Sequence, residues 1–319
     1  MIKIQYVDDW LQPYYKTQKI TIKLKHAGTK MVFNNKIFLL LTVFLYMGQV
    51  SASTNKTITW YKPEFPPLSI VNGPDAGKGY SDRIENYLIQ ELNDFDHQVL
   101  VSPFKRTLRD MKKGLNACSV TLLKTPARSE FIAFTVPARL LLPNDLVVRK
   151  GDLSKFNDFK DESGSISLEK VIQSGIVRIG YSNGRSYTKP IDALLTKYKG
   201  SDNLIERLGN EGPKGLLSML SKGNIDAMFA QPVEAQFHGR SIGVAADIAQ
   251  LPINEIKEYT VGYIGCSKTP WGEAVIKKVD ALLVNAVKHD DFRRFYEDFL
   301  DEDSKKRYRI IYDGYFNLK

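Results

Sequence analysis

Thr125-Pro126-Ala127-Arg128-Ser129-Glu130-Phe131, followed by Phe134-Thr135-Val136-Pro137, is the stretch on which the reading of this chain turns. It comes just after an apolar, strand-like run, Ala117 to Leu122, and brings an arginine to the end of that strand. A guanidinium offers a planar fork of donors that matches a carboxylate through two parallel bonds. Arg128 could hold an anionic ligand in this way, and the plain alternative is a surface pairing with Glu130. Upstream, Thr57 to Tyr61 reads as a strand that enters the turn-forming Pro63-Glu64-Phe65-Pro66-Pro67. A helix follows from about Ser81 to Leu92, with Ile84, Tyr87, Leu88 and Glu91 on adjoining turns. Val99 to Val101 is a second strand, and Pro103-Phe104 introduces a helix through Lys113. This βαβαβ alternation predicts an α/β architecture with largely parallel sheets.

Downstream, the apolar stretch Leu140 to Val148 is interrupted by Pro143-Asn144. The polar, Gly/Ser/Asp-rich Gly151 to Ser167 behind it reads as a crossing into another unit. A second series then runs Val177 to Tyr181 (strand), Tyr187 to Tyr198 (helix), Gly215 to Ser221 (helix) and Ile225 to Phe229 (strand), ending near Pro252. Tyr259 to Cys266 is one more strand, and helices at Trp271 to Val287 and Asp291 to Phe299 are expected to close the chain.

The 319 residues are 43% hydrophobic, enough for a sizeable core. The formal charge of +9 is unevenly placed: residues 1–52 hold seven lysines against Asp8 and Asp9, which leaves about +4 for the rest. With no run of Lys/Arg interleaved with aromatics, nucleic-acid binding is not expected. Lys36 precedes an apolar run of eleven residues, Ile37 to Met47, and small residues lead to a cut after Ala52. That is the form of a cleavable signal peptide at 31–52, and the run is about half of what a membrane-spanning helix needs. Met31 is the expected start, with 1–30 a non-native or unstructured extension, and the mature protein is expected in the periplasm. Cys118 and Cys266 permit one disulfide there, although two cysteines on separate buried strands could equally be small core residues. The four histidines stand outside any metal-ligand spacing, and no nucleophile elbow or phosphate loop occurs. No metal, cofactor or catalytic residue is expected.

The Thr125–Pro137 stretch resembles the Thr-Pro-Glu-Arg … Phe-Ser-x-Pro segment of family 3 solute-binding proteins, the amino-acid-binding components of uptake transporters. Phe65-Pro66-Pro67-Leu68-Ser69 is similar to that family's aromatic-Pro-Pro-Phe-Ser turn, and Gly79-Tyr80-Ser81-Asp82 to its Gly-Phe-x-x-Asp helix start. Lys222-Gly223-Asn224-Ile225-Asp226-Ala227 resembles its Gly-x-x-Asp-Ala strand entry. Together these span residues 57–300 in the family's order. The resemblance implies the type 2 periplasmic-binding-protein fold: two α/β lobes joined by two hinge strands, with the ligand clamped between them. Lobe 1 would be 54–142 plus 255–319, and lobe 2 would be 143–254. Closure of that kind hides the ligand from water and strengthens its polar contacts.

By the same resemblance, Arg128 would hold a ligand carboxylate. Gly184-Arg185-Ser186-Tyr187, which follows a strand and opens a helix, would complete the carboxylate site from the second lobe through backbone N–H groups and the Ser186 hydroxyl. Arg185 would add positive charge there, or it and Ser186 would belong to an ordinary capped helix start. Phe65 would stack on the ligand from its Pro-rich turn, with Tyr61 a further aromatic candidate and Trp60 assigned to the core. Arg106 would face the cleft or lie on a solvated helix face. Thr121 completes the candidate set. Two positions depart from the family pattern: Gln231 replaces the Asp that takes a ligand's ammonium, and Leu123 replaces a Ser/Thr that helps it. A carboxylate or other small anion is therefore expected in place of a simple zwitterion, unless Glu234 or Asp82 handles an amine. The chain is expected to be a monomer that serves an inner-membrane permease, or alternatively an orphan sensory module for a membrane partner. A dehydratase-type enzyme on the same fold, with Glu64, Asp82 or Glu234 as acid/base, is the third reading.

Overall fold

The computed structural model describes Ile4–Gln5, residues 56–208 and residues 212–318. The expected signal peptide at 31–52, its start at Met31 and nearly all of 1–30 lie outside the described residues. From residue 57 the chain runs β1 (Thr57–Lys62), α1 (Tyr80–Glu91), β2 (Asp96–Val101), α2 (Phe104–Lys112), β3 (Ala117–Leu122), α3 (Pro126–Ser129), β4 (Ile132–Phe134) and β5 (Arg139–Leu141). It continues through β6 (Asp145–Arg149), α4 (Leu168–Ser174), β7 (Ile179–Ser182), α5 (Lys189–Lys197), β8 (Leu204–Arg207), α6 (Gly212–Ser221), β9 (Ala227–Ala230), α7 (Pro232–Ser241) and β10 (Ile248–Leu251). It closes with β11 (Thr260–Ser267), α8 (Pro270–Ala286), α9 (Asp290–Glu297) and α10 (Glu302–Phe316).

These strands form two sheets. The first runs in the order β2-β1-β3-β11-β4, with β5 also pairing to β11. β1, β2 and β3 are parallel, and β11 returns antiparallel to them. Strand alternation explains its packing: Ile58 and Trp60, both fully buried, face the core beneath α1 and α8, while Tyr61 turns to the opposite face against Met111 of α2. The second sheet runs β10-β6-β9-β7-β8, with β7 parallel to β8 and β9, and β6 antiparallel to its neighbours. Leu146, Val148, Ile179 and Phe229 build its own core with Phe156 and Ile166. The mixed α/β, two-sheet expectation is met.

The chain leaves the first sheet after Leu141 and enters the second at Asp145, with Pro143 breaking the apolar run between them. It returns between Leu251 and Thr260. The polar segment Gly151 to Ser167 is therefore not the crossing that composition suggested. Phe156 and Ile166 anchor it to the second core, and Lys150–Phe159 is a run of 3-10 turns. Cys118 and Cys266 stand directly opposite in the β3/β11 register and are disulfide-bonded, with Cα atoms 4.0 Å apart. The core-thiol alternative is thereby set aside.

Several elements differ from the periodicity reading. β8, α7, β10 and α10 were not anticipated, because their apolar content is short or shared with polar faces. α10 starts at an Asp301 cap whose carboxylate accepts from the Asp303 and Ser304 N–H groups, and it buries Tyr308 and Tyr312. Tyr308 donates to the Leu140 carbonyl at 3.3 Å, and Tyr296 of α9 accepts from the Leu142 N–H at 2.9 Å. Arg307 pairs with buried Asp145, so the last helix also fastens to the first strand of the second sheet.

Candidate site at the strand ends

In open α/β sheets, ligands gather at the carboxyl ends of parallel strands, where loops diverge and helix N-termini converge. At the end of β3 the chain turns into the single-turn α3. Thr125 is extended and its Oγ1 accepts from the Arg128 N–H at 3.3 Å, with Pro126 at the first helical position. This turn folds the Arg128 side chain back onto the strand end, where Nη1 donates to the Leu123 carbonyl at 2.9 Å. Arg128 is half-buried and has no carboxylate partner among the described residues; the pairing with Glu130 is not made.

The other first-lobe candidates divide. Phe65 is 47% exposed in a small turn closed by paired bonds of 3.0 Å to Ser69. The residue that fixes the turn is Asp82, fully buried, whose carboxylate accepts from Ser69 Oγ (2.8 Å), the Ile70 N–H (2.8 Å), the Gly79 N–H (3.0 Å) and Lys62 Nζ (3.1 Å). A side chain at Gly79 would press within 2.7 Å of the Leu68 carbonyl, which explains a glycine there. Trp60 is core, as expected. Tyr61 is buried as well: burial first and the Asp110 carboxylate second push its hydroxyl pKa up. Thr121 is buried in β3, its hydroxyl 2.9 Å from that of Ser119. Arg106 lies 3.5 Å from Asp110, and Arg109 lies 3.1 Å from the same carboxylate. Asp110 went unnoticed in the sequence although its i+4 spacing from Arg106 signals the pair.

At the ends of β7 and β9 the second lobe presents charges that are already matched. Arg185 Nη2 lies 2.7 and 2.9 Å from the two Glu234 oxygens, and its guanidinium sits 5.1 Å over the Tyr187 ring. Glu234, 3% exposed, also accepts from the Gln231 N–H at 3.1 Å in the first turn of α7. Arg185 is thus not a free positive charge. Ser186 differs from expectation too. The helix begins later, at Lys189, and its own Asp192 accepts from Ser186 Oγ at 2.5 Å and from the Tyr187 N–H at 3.0 Å. A carboxylate of the chain itself fills the cradle that sequence reasoning left for an anion.

Leu68 and Tyr80, which follow β1, share one buried cluster with Leu140, Leu141 and Leu142 at the crossing and with Val233, which follows β9. The segment after β1 and the start of α7 after β9 therefore share one apolar cluster with the crossing. Asn144, in the first crossing, donates to the Tyr187 carbonyl at 3.0 Å. A separate groove of about 690 Å³, lined by Pro143, Asp145, Ile253, Ile256, Arg307 and Ile310, lies beside the last helix. Its Arg307 is already bound to Asp145 and offers no uncompensated charge.

No family model and no curated protein matches the sequence. Solved structures do match. A polar amino acid ABC uptake transporter substrate-binding protein from Streptococcus thermophilus is similar over 82% of this chain and 94% of its own, at 17% identity and a TM-score of 0.56. The second substrate-binding domain of Lactococcus lactis GlnP, in an open conformation, is similar over 77% and 95%, at 15% identity and a TM-score of 0.55. An ancestral amino-acid-binding protein, a precursor of cyclohexadienyl dehydratase, is similar over 77% and 96%, at 14% identity and a TM-score of 0.51. These likenesses show the fold: the two-lobed α/β architecture of substrate-binding proteins, as the motif resemblance implied. At such identities they speak for the fold, and the ligand has to be argued from the side chains.

Proposed function

We propose that this protein binds a small carboxylate-bearing solute between its lobes outside the cytoplasm, for uptake or sensing, and catalyses no reaction. The observation that carries the reading is Arg128, a guanidinium fixed at a strand end with its fork uncompensated by any described carboxylate, while Arg106 and Arg185 each have an acidic partner. A carboxylate that reaches Arg128 would meet charge-assisted donors, and lobe closure over it would strengthen them. The lobes would be 54–142 plus 255–319 and 143–254, moving about the two crossings.

The acidic groups argue against both an amine-binding site and an acid/base catalyst. Asp82 accepts four bonds and Glu234 is held by Arg185 and the Gln231 N–H, so neither is poised to take an ammonium or to exchange a proton. Glu64 accepts from Asn72 at 3.1 Å on the exposed side of its turn. The test is native mass spectrometry of protein purified without added ligand, followed by thermal-shift screening of carboxylates beside their isosteric amides. Stabilisation by carboxylates and not by amides is the expected result. Stabilisation by amides alone, or steady turnover of a bound compound, would refute the reading.

A further inference from the structure

Three of the large apolar side chains left exposed stand at the carboxyl ends of three neighbouring parallel strands. Phe65 follows β1 and is 47% exposed, Phe104 follows β2 and is 38% exposed, and Leu123 follows β3 and is 41% exposed. In the sheet β1 lies between β2 and β3, so the three residues share one rim. Apolar residues scattered singly on a surface need no explanation, but a group gathered at the sheet edge where ligands collect does. Leu123 also joins this rim to the charge, because its backbone carbonyl is the atom that Arg128 holds. A cation and an apolar shelf at one strand end suit an amphiphilic guest: a carboxylate for the guanidinium and a hydrocarbon body for the shelf. The second lobe adds no contrary signal, since Arg185, Ser186 and Asn183 are all committed to the chain's own acids Glu234, Asp192 and Glu206.

We infer that the guest is a monocarboxylate with an aromatic or branched aliphatic body and no α-amino group, and that Leu123 is the residue that selects for that body. The inference rests on the proposed function and narrows it. With Phe65 beside it and Phe104 beyond, Leu123 provides apolar contact next to the guanidinium. A polar body would leave its hydrogen-bonding groups unmatched against these three side chains.

The experiment is calorimetric titration of the mature protein with phenylacetate, 4-methylpentanoate, lactate, succinate, phenylalanine and leucine. Phenylacetate or 4-methylpentanoate is expected to bind at least about tenfold more tightly than lactate, succinate or either amino acid. In Leu123→Thr, an exposed position whose change leaves the core intact, that preference is expected to shrink roughly fivefold. Carboxylates that bind with lactate or succinate equal to or tighter than phenylacetate would overturn this inference and leave the proposed function standing. Tighter binding of phenylalanine than of phenylacetate would overturn it too, and no binding of any carboxylate would remove both. An unchanged preference in Leu123→Thr would refute the role of that residue. Self-association of the wild type that Leu123→Thr abolishes would assign the rim to a second copy of the chain and overturn the proposal.

Discussion

The strand ends of the first sheet and those of the second are built from similar residue types and reach opposite electrostatic outcomes. Around β3 a guanidinium is fastened by its own backbone, against the Leu123 carbonyl, and finds no carboxylate among the described residues. Around β7 and β9 an arginine, a serine and an asparagine are each matched to an acid of the same lobe, Glu234, Asp192 and Glu206. Under the proposed function, recognition of charge would fall to the first side. On the other side Arg185, Ser186 and Asn183 already have acidic partners, so a carboxylate guest would have to compete with Glu234, Asp192 and Glu206 for them. The two sheets also differ in how they are held: a disulfide crosses the first, whereas charged networks such as Asp226 with Arg149 and Arg178 tie the second.

Breaking the first-lobe staple should have the largest effect. The bridge spans 148 residues of sequence, so the paired change Cys118→Ala and Cys266→Ala is expected to remove ~2–5 kcal/mol of stability in denaturant unfolding. Hydrogen exchange should rise first in β3 and β11, and a uniform rise across both sheets would erase the contrast between them. Next comes Glu234→Gln, which leaves a partly buried Arg185 unmatched; about 1–3 kcal/mol of stability is expected to be lost. The same variant sharpens the comparison, because the second lobe then gains an uncompensated cation, and its affinity for inorganic anions should rise above that of the wild type.

One carboxyl in each lobe is expected to respond to pH in the opposite sense to the other. Burial pushes the Glu85 carboxyl from 4.5 up to about 7, against the pull of Lys62. The folded state then keeps a proton that the unfolded chain releases, so stability falls as pH rises from about 4.5 to about 7, and Glu85→Gln should flatten that fall. For Asp226 burial acts upward but is outweighed by bonds from Arg178 and Arg149, which take it from 3.8 down to about 2. Its contribution is present above about 3.8 and is lost as pH drops toward about 2; Asp226→Asn should flatten that acid limb alone. The smallest effect is that of Ser186→Ala, which deletes an exposed bond to Asp192 and is expected to alter both stability and ligand affinity by less than ~1 kcal/mol. A large loss of affinity would mean that Ser186 leaves Asp192 to meet the guest.

Much of the architecture was legible because strand alternation and the Pro143 break are strong local signals. Trp60 read as core from its place in a strand, and Cys118 with Cys266 were open to pairing. The elements that escaped, such as β8 and α10, draw their stability from partners distant in sequence: Tyr308 needs the Leu140 carbonyl, and Arg307 needs Asp145. The same holds at the site. Arg128 could be singled out from its motif, but whether a cation is matched depends on which acid the fold brings to it. For Arg185 that acid is Glu234, 49 residues away, and no spacing rule links them. Asp192, by contrast, lies six residues from Ser186 and was within reach of a local reading.

The central claim is that one first-lobe guanidinium meets the guest's carboxylate. The most direct measurement is calorimetric titration of the same carboxylate, phenylacetate, into the wild type and Arg128→Ala at fixed pH and salt. The account predicts that affinity falls by ~2–5 kcal/mol, the loss expected when one partner of a desolvated charge pair is removed. Affinities equal within about threefold, well under 1 kcal/mol, would contradict it.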